Sequence, residues 1–182
     1  MKCTSCKNGH LAPSYIEGLF RAHTCSSCGG NWILIEDYMY WKEKNPEYQF
    51  SEKAQVEIED TKNALLCPIT GTIMHKYRFT HDSLHRLDYS PKVGGVWLDK
   101  GEWEFLKQAN LAGSLNAIFT EQWQKNIREN SAKMTFTEIY RAKFGEADYA
   151  KVKEIRKWLD NHRLKADIRS YLLAEDPYSA EK

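Results

Sequence analysis

Four of the five cysteines fall in two close pairs, Cys3-x-x-Cys6 and Cys25-x-x-Cys28, with 18 residues between the pairs. This spacing reads as a metal site, because two residues between thiolates let each pair grip one side of a tetrahedral ion. Four protein ligands leave no position for water, so the expectation is one structural Zn²⁺ held by Cys3, Cys6, Cys25 and Cys28, with no metal-centred catalysis. Gly29-Gly30 follows the second pair. Glycine tolerates positive φ and close approach, so backbone N–H groups there can aim at thiolates whose zinc complex carries a net charge of about −2. An odd cysteine count is poor disulfide arithmetic and implies a reducing, cytoplasmic setting. His10 and His23 lie close by in sequence and read as surface or supporting groups, since the thiolates already satisfy the ion.

Other chemistry is sparse. There is no Gly-rich phosphate loop, no Gly-x-Ser-x-Gly elbow and no His-Glu-x-x-His, and six histidines with scattered acids form no recognisable triad. Glu17 and Asp82 fall as single acids near two expected hairpin tips, where acid-tip chemistry needs a pair. The chain is therefore not expected to be an enzyme or to take a small-molecule substrate. Residues 151–169 hold seven basic side chains against three acidic ones. Lys151, Lys153, Arg156, Lys157 and Arg163 are the candidates there for nucleic-acid contacts, against the plainer reading of a solvated helix face. Six tryptophans and ten tyrosines offer stacking surface. Trp32, Trp97, Trp103, Trp123 and Trp158, however, occupy positions that read as core or ribbon–helix packing.

The elements that must position these residues come from an ordinary globular composition. The 182 residues carry a net charge of +1, 28% charged and 42% hydrophobic side chains. That suits one domain or two to three small ones. Near-neutrality argues against a large electrostatic nucleic-acid binder. No apolar run exceeds four residues, so no membrane span is expected, and Met1-Lys2-Cys3 lacks the apolar stretch of a secretory signal. Between the pairs, Ser14-Tyr15-Ile16, a turn at Glu17-Gly18 and Leu19-Phe20-Arg21 read as a hairpin, and Trp32–Ile35 as a third strand. Knuckle, hairpin, knuckle and strand make a zinc ribbon. About 35 residues bury too little surface to fold alone, so metal would supply the folding free energy.

The pattern recurs at an offset of 64 to 65 residues. Cys67-Pro-Ile-Thr70 lies over Cys3-Thr-Ser-Cys6, and Ser90-Pro-Lys-Val93-Gly94-Gly95-Val96-Trp97 over Cys25-Ser-Ser-Cys28-Gly29-Gly30-Asn31-Trp32. Thr70, Ser90 and Val93 cannot replace thiolates on zinc. The second copy is expected to keep its backbone without metal, with Cys67 a small buried residue and Tyr77, Phe79, Leu84, Leu87 and Trp97 as packing. A rebuilt site from Cys67 with His75, His81 or His85 is the alternative, although the spacing suits no standard pattern.

The run Val93-Gly-Gly-Val-Trp-Leu-Asp-Lys-Gly-Glu-Trp103 resembles the signature of the transcription factor IIB-type zinc-ribbon family of small bacterial proteins, Cys-x-x-Cys-Gly-Gly-x-Trp-Leu-Asp-x-Gly-Glu-Leu. The first copy carries the metal half of that signature in Cys3, Cys6, Cys25, Cys28, Gly29, Gly30 and Trp32. The second keeps the Leu-Asp-x-Gly-Glu half without the cysteines. The resemblance covers residues 1–45 and 67–110. It implies zinc binding and a role with nucleic acid or transcription.

Each ribbon is expected to run into a short helix, about 36–44 and 101–111, the first stopped by Asn45-Pro46. Beyond Gly113 the apolar spacing predicts four helices. The first is capped by Ser114, a second by Thr135 or Thr137 and ended by Gly145, a third opens at Asp148, and a fourth holds Leu164–Leu172 before Asp176-Pro177. The fold class is small α+β: a zinc ribbon plus helix (1–46), a polar linker (47–64, with Val56 and Ile58 as a possible strand), a metal-free ribbon plus helix (65–112) and a helical domain (113–182). Two such units are expected to pack on each other. The function expected is a non-enzymatic zinc protein acting as a nucleic-acid- or transcription-associated module. The alternative is an adaptor whose degenerate ribbon and helices dock a protein partner.

Overall fold

A computed structural model describes residues 1–6, 8–51 and 63–175. The expected strand at Val56 and Ile58 and the stop at Asp176-Pro177 lie outside the described residues. The chain divides into two compact units, Met1–Ser131 and Ala132–Lys182, whereas sequence reading places its boundaries at 46, 64 and 112.

The first unit is built on one antiparallel sheet. Its strands are β1 (Leu11–Ile16), β2 (Phe20–Cys25), β3 (Asn31–Leu34), β4 (His75–Arg78), β5 (Arg86–Ser90) and β6 (Gly95–Leu98), in the spatial order β1-β2-β3-β6-β5-β4. The hairpin turn falls at Glu17 (φ 49°) and Gly18 (φ 76°), both left-handed, which matches the twist of the strands it joins. Pro13 lies on β1 at the sheet edge, where its missing N–H costs no ladder bond.

The two ribbon-sized segments meet at the centre of this sheet. β3 pairs with β6 so that Trp32 lies opposite Trp97, flanked by Ile33 opposite Val96 and Asn31 opposite Leu98. Both strands are buried on both faces, and their side chains alternate between two clusters. One face gathers Phe20, Ile33, Leu87, Val96 and Leu98 with helix side chains. The other gathers Trp32, Trp97, Leu11, Met74, Cys25 and Cys67.

Two glycines make the tryptophan face possible. A Cβ on Gly30 would stand 2.3 Å from Cζ2 of Trp97, and one on Gly95 would stand 2.0 Å from Cζ2 of Trp32. Each indole thus lies on the glycine of the other segment, a contact no larger residue permits.

Helices cover the first face. α1 (Ile35–Lys44) follows β3 directly, with Glu36 and Asp37 in its first turn, where carboxylates complement the helix dipole. Tyr38 is fully buried against Phe20, and its hydroxyl donates to the Ala112 carbonyl at 2.9 Å. Burial pushes its phenol up to about 12. Tyr40 points out, at 61% exposure. α2 (Glu102–Gln108) buries Trp103 and Leu106. A 3-10 turn at Ala112–Ser114 leads into α3 (Leu115–Ile118), where the Ser114 side chain makes no capping bond.

α4 (Glu121–Phe144) is one helix of 24 residues. The break expected before Thr135 or Thr137 is absent, because residues 128–134 contain no proline or glycine and offer no physical stop. Its first part belongs with the sheet: Ile127 is buried, and Trp123 Nε1 and Gln124 Nε2 donate to the carbonyls of Phe79 and Arg78 at 3.3 and 2.7 Å. Of the packing residues expected in the second segment, Phe79, Leu87 and Trp97 are buried, but Leu84 stands out at 82% exposure.

The second unit consists of the end of α4, then α5 (Glu146–Asp160) and α6 (Lys165–Leu173). Gly145 (φ 78°) ends α4 and turns the chain into α5, which opens two residues before Asp148. Among the described residues of this unit only Leu159 is buried. Trp158, expected in packing, is 55% exposed, since α5 has too few neighbours to cover it.

Candidate metal centre

The four N-terminal thiols converge. Cys3 Sγ lies 3.7 Å from Cys28 Sγ, Cys6 Sγ lies 3.6 Å from Cys25 Sγ, and all four sit within 4.8 Å of one another. A tetrahedral Zn²⁺ with S ligands at 2.3 Å requires S···S edges of about 3.8 Å, close to the Cys3–Cys28 and Cys6–Cys25 separations, so the set suits zinc. Each ligand comes from a backbone that holds it. Cys3 N–H donates to Gly9 C=O at 2.9 Å, and Cys25 N–H to Gly30 C=O at 2.8 Å, which closes the two knuckles. The N–H groups of Cys6 and Ser27 point at Cys3 Sγ and Cys25 Sγ, both at 3.4 Å.

Burial pushes the Cys3 and Cys28 thiols above their ordinary value. Burial acts the same way on Cys25, but it is outweighed by the N–H groups of Cys28 and Ser27 and by hydrogen bonds from the Cys28 and Cys3 thiols, which bring Cys25 down to about 6. A divalent cation would replace the thiol protons and share the negative charge over the four sulfurs.

A residue that sequence reading passed over is essential to this geometry. A Cβ on Gly9 would meet Cys25 Sγ at 2.2 Å and Cys6 Sγ at 2.7 Å. The signal was a glycine three residues after the second ligand of the first knuckle. His10 is exposed and His23 half-buried, and neither joins the thiol set.

In the second segment a single thiol, Cys67, is buried. Thr70 N–H points at Cys67 Sγ at 3.4 Å, matching Cys6 N–H on Cys3 Sγ. Cys67 N–H donates to Thr72 C=O at 2.8 Å, and Leu66 bridges Ile73 as Lys2 bridges His10. Burial pushes the Cys67 thiol up, but the nearby Ser90 and Thr70 hydroxyls and the N–H groups of Thr70 and Ile69 outweigh it, so the net shift is downward. Among the described residues, Cys67 and the histidines 75, 81 and 85 do not form a metal-sized cluster.

The Trp-Leu-Asp-x-Gly-Glu run does structural work. Trp97 Nε1 donates to Asp99 Oδ1 at 2.6 Å, and Asp99 N–H to Glu102 Oε2 at 2.8 Å, with Gly101 left-handed (φ 90°) between them. In the first segment Leu34 stands two residues after Trp32, and Trp32 Nε1 is buried with no partner among the described residues. Glu17, at the hairpin tip, is tied down: its carboxylate pairs with the buried Lys107 and accepts from Trp103 Nε1 at 3.2 Å.

The basic candidates lie in the second unit. Lys151, Lys153, Arg156 and Lys157 are exposed along α5, and Arg163 is exposed just beyond it. Lys151 pairs with Asp148 at 3.3 Å, whereas Lys153, Arg156, Lys157 and Arg163 make no ion pair among the described residues.

Residues 2–44 match the family model for the transcription factor zinc-finger, a TFIIB-type zinc ribbon. No curated protein and no solved structure matches the chain. The matched segment and the thiol geometry together make this a zinc-ribbon N-terminus with four cysteines placed for one structural Zn²⁺. No described helix is long and apolar enough to cross a membrane.

Proposed function

We propose that this protein is a non-enzymatic, zinc-clamped docking module, a transcription-associated adaptor whose sheet unit is the rigid scaffold and whose helical unit meets a protein partner. In this reading the sheet is two fused ribbons, the second a copy that lost its ligands. The reciprocal Trp32–Gly95 and Trp97–Gly30 contacts and the mirrored strand order support that reading. A closed four-thiol shell offers a substrate no open position, and Glu17 is occupied by Lys107 and Trp103, which supports a binding role over catalysis.

The observation that carries the docking role is the apolar surface of the second unit. Among its described residues one side chain is buried, while Phe136, Phe144, Val152, Ile155 and Trp158 stand between 41% and 55% exposed. A unit that leaves this much apolar surface in water is completed by something else.

A second reading, direct nucleic-acid binding, is favoured by the exposed cations Lys151, Lys153, Arg156, Lys157 and Arg163. The two are separated by titrating zinc-loaded protein against mixed-sequence DNA and RNA at two salt concentrations. The adaptor reading expects no saturable binding at low salt. Binding that weakens steeply with salt, by about 0.9 log units per phosphate contact for each log unit of salt, overturns it in favour of nucleic acid.

A further inference from the structure

The exposed apolar surface of the second unit has a shape. Phe136, Tyr140 and Phe144 recur every four residues along the end of α4 and form one stripe. The turn at Gly145 brings Tyr149 and Val152 of α5 to the other side of a groove of about 900 Å³. Lys133 of α4 and Lys153, Arg156 and Lys157 of α5 also line it, and no carboxylate among the described residues does. The groove therefore has an aromatic floor and a cationic rim.

We infer that this groove receives the apolar face of an amphipathic helix whose flanks are acidic, supplied by a different protein; the inference rests on the docking reading above. The stripe from Phe136 to Phe144 spans eight residues, about 12 Å, or a little over two helical turns. That length suits anchors at i, i+4 and i+7 on an incoming helix, with glutamates or aspartates meeting the four cations.

Two other occupants fit less well. Ring centroids along the stripe are 4.5 Å apart for Phe136–Tyr140 and 5.3 Å for Tyr140–Phe144, with interplanar angles of 46° and 57°. A base slotted between two rings needs about 7 Å, twice the stacking distance. The rings pack on each other and leave no such slot. A second copy of this chain meeting the groove across a two-fold axis would set Lys133, Lys153, Arg156 and Lys157 against their own counterparts.

The test uses the full zinc-loaded chain and a labelled synthetic helix of about 18 residues, five turns, with leucines along one face and glutamates flanking them. Controls are the same peptide with lysines for the glutamates, a scrambled peptide of equal charge, and a single-stranded oligothymidine. Fluorescence anisotropy should show binding of the acidic amphipathic peptide alone. The triple variant K153E/R156E/K157E should weaken it by about tenfold or more. The variants F136A and F144A should each weaken it as well, all with unchanged zinc content.

Failure of the acidic peptide to bind, or binding indifferent to these substitutions, overturns the groove assignment. If the oligonucleotide titrations also stay flat, the docking reading survives that failure. If instead the oligonucleotide binds and loses affinity in the same triple variant, both fall. A stable dimer in solution that breaks on F136A or F144A also overturns the assignment in favour of self-association.

Discussion

At the scale of single residues, the site depends on a position that carries no ligand atom. Gly9 sits where any Cβ would collide with Cys25 Sγ and Cys6 Sγ. Gly9→Ala must therefore push a knuckle away from the metal. We expect a loss of about 10- to 100-fold in zinc affinity, the size seen when groups supporting metal ligands are disturbed, read by chelator competition. The two central tryptophans make a second residue-scale comparison. Both indoles lie over a glycine, but only Trp97 donates to a buried carboxylate, Asp99. Trp97→Phe leaves Asp99 Oδ1 without that donor, whereas Trp32→Phe removes an N–H that has no partner among the described residues. Trp97→Phe should then be the more destabilising by about 1–3 kcal/mol, measured as the difference in denaturant midpoints at constant slope. Equal losses would mean that the hydrogen bond contributes nothing beyond packing.

At the scale of elements, the two knuckles differ in ligands more than in backbone. The Cys67 knuckle repeats the N–H-to-sulfur and closing hydrogen bonds of the Cys3 knuckle. Introducing three thiols by T70C, S90C and V93C together should raise the zinc content from one to two per chain, counted by native mass spectrometry. Cys67→Ser alone should leave it at one, while Cys3→Ser or Cys25→Ser should abolish it. Metal loss on Cys67→Ser would overturn the reading of the second segment as a copy without a site. The elements themselves were largely legible from spacing: the hairpin about Glu17-Gly18, the third strand, and the helices following Leu34 and Gly101. Where reading failed, a local signal was missing or overridden. Thr135 and Thr137 looked like caps, but nothing N-terminal to them stops a helix, so α4 runs through.

At the scale of the whole molecule, metal and core share the work. A lone ribbon would take its folding free energy from zinc, yet here β3 is sealed against β6 and the thiols border a cluster containing both central tryptophans. Chelation at neutral pH should lower Tm by about 10 °C or more, since losing a few kcal/mol moves a chain of this size by that amount. The near-ultraviolet signal from Trp103 and Tyr38 should survive below the new Tm, because their cluster holds no thiol. Complete loss of that signal on chelation would show that zinc carries the fold of the entire sheet.

The sequence by itself determined the ligands, because thiolate chemistry and two-residue spacing are local properties that no neighbour alters. It also determined the ribbon, since the alternation of strands and the left-handed turn are written within a few residues. Only the tertiary structure decided that the two segments share one sheet, with each tryptophan lying on the other segment's glycine. That pairing joins residues 65 apart and depends on the close approach of two strands, which no short-range pattern encodes. Burial in the helical unit belongs to the same class. The apolar spacing of α5 and α6 is that of packed helices, but spacing states only that a face wants cover, and the tertiary structure leaves Ile155 and Trp158 in water.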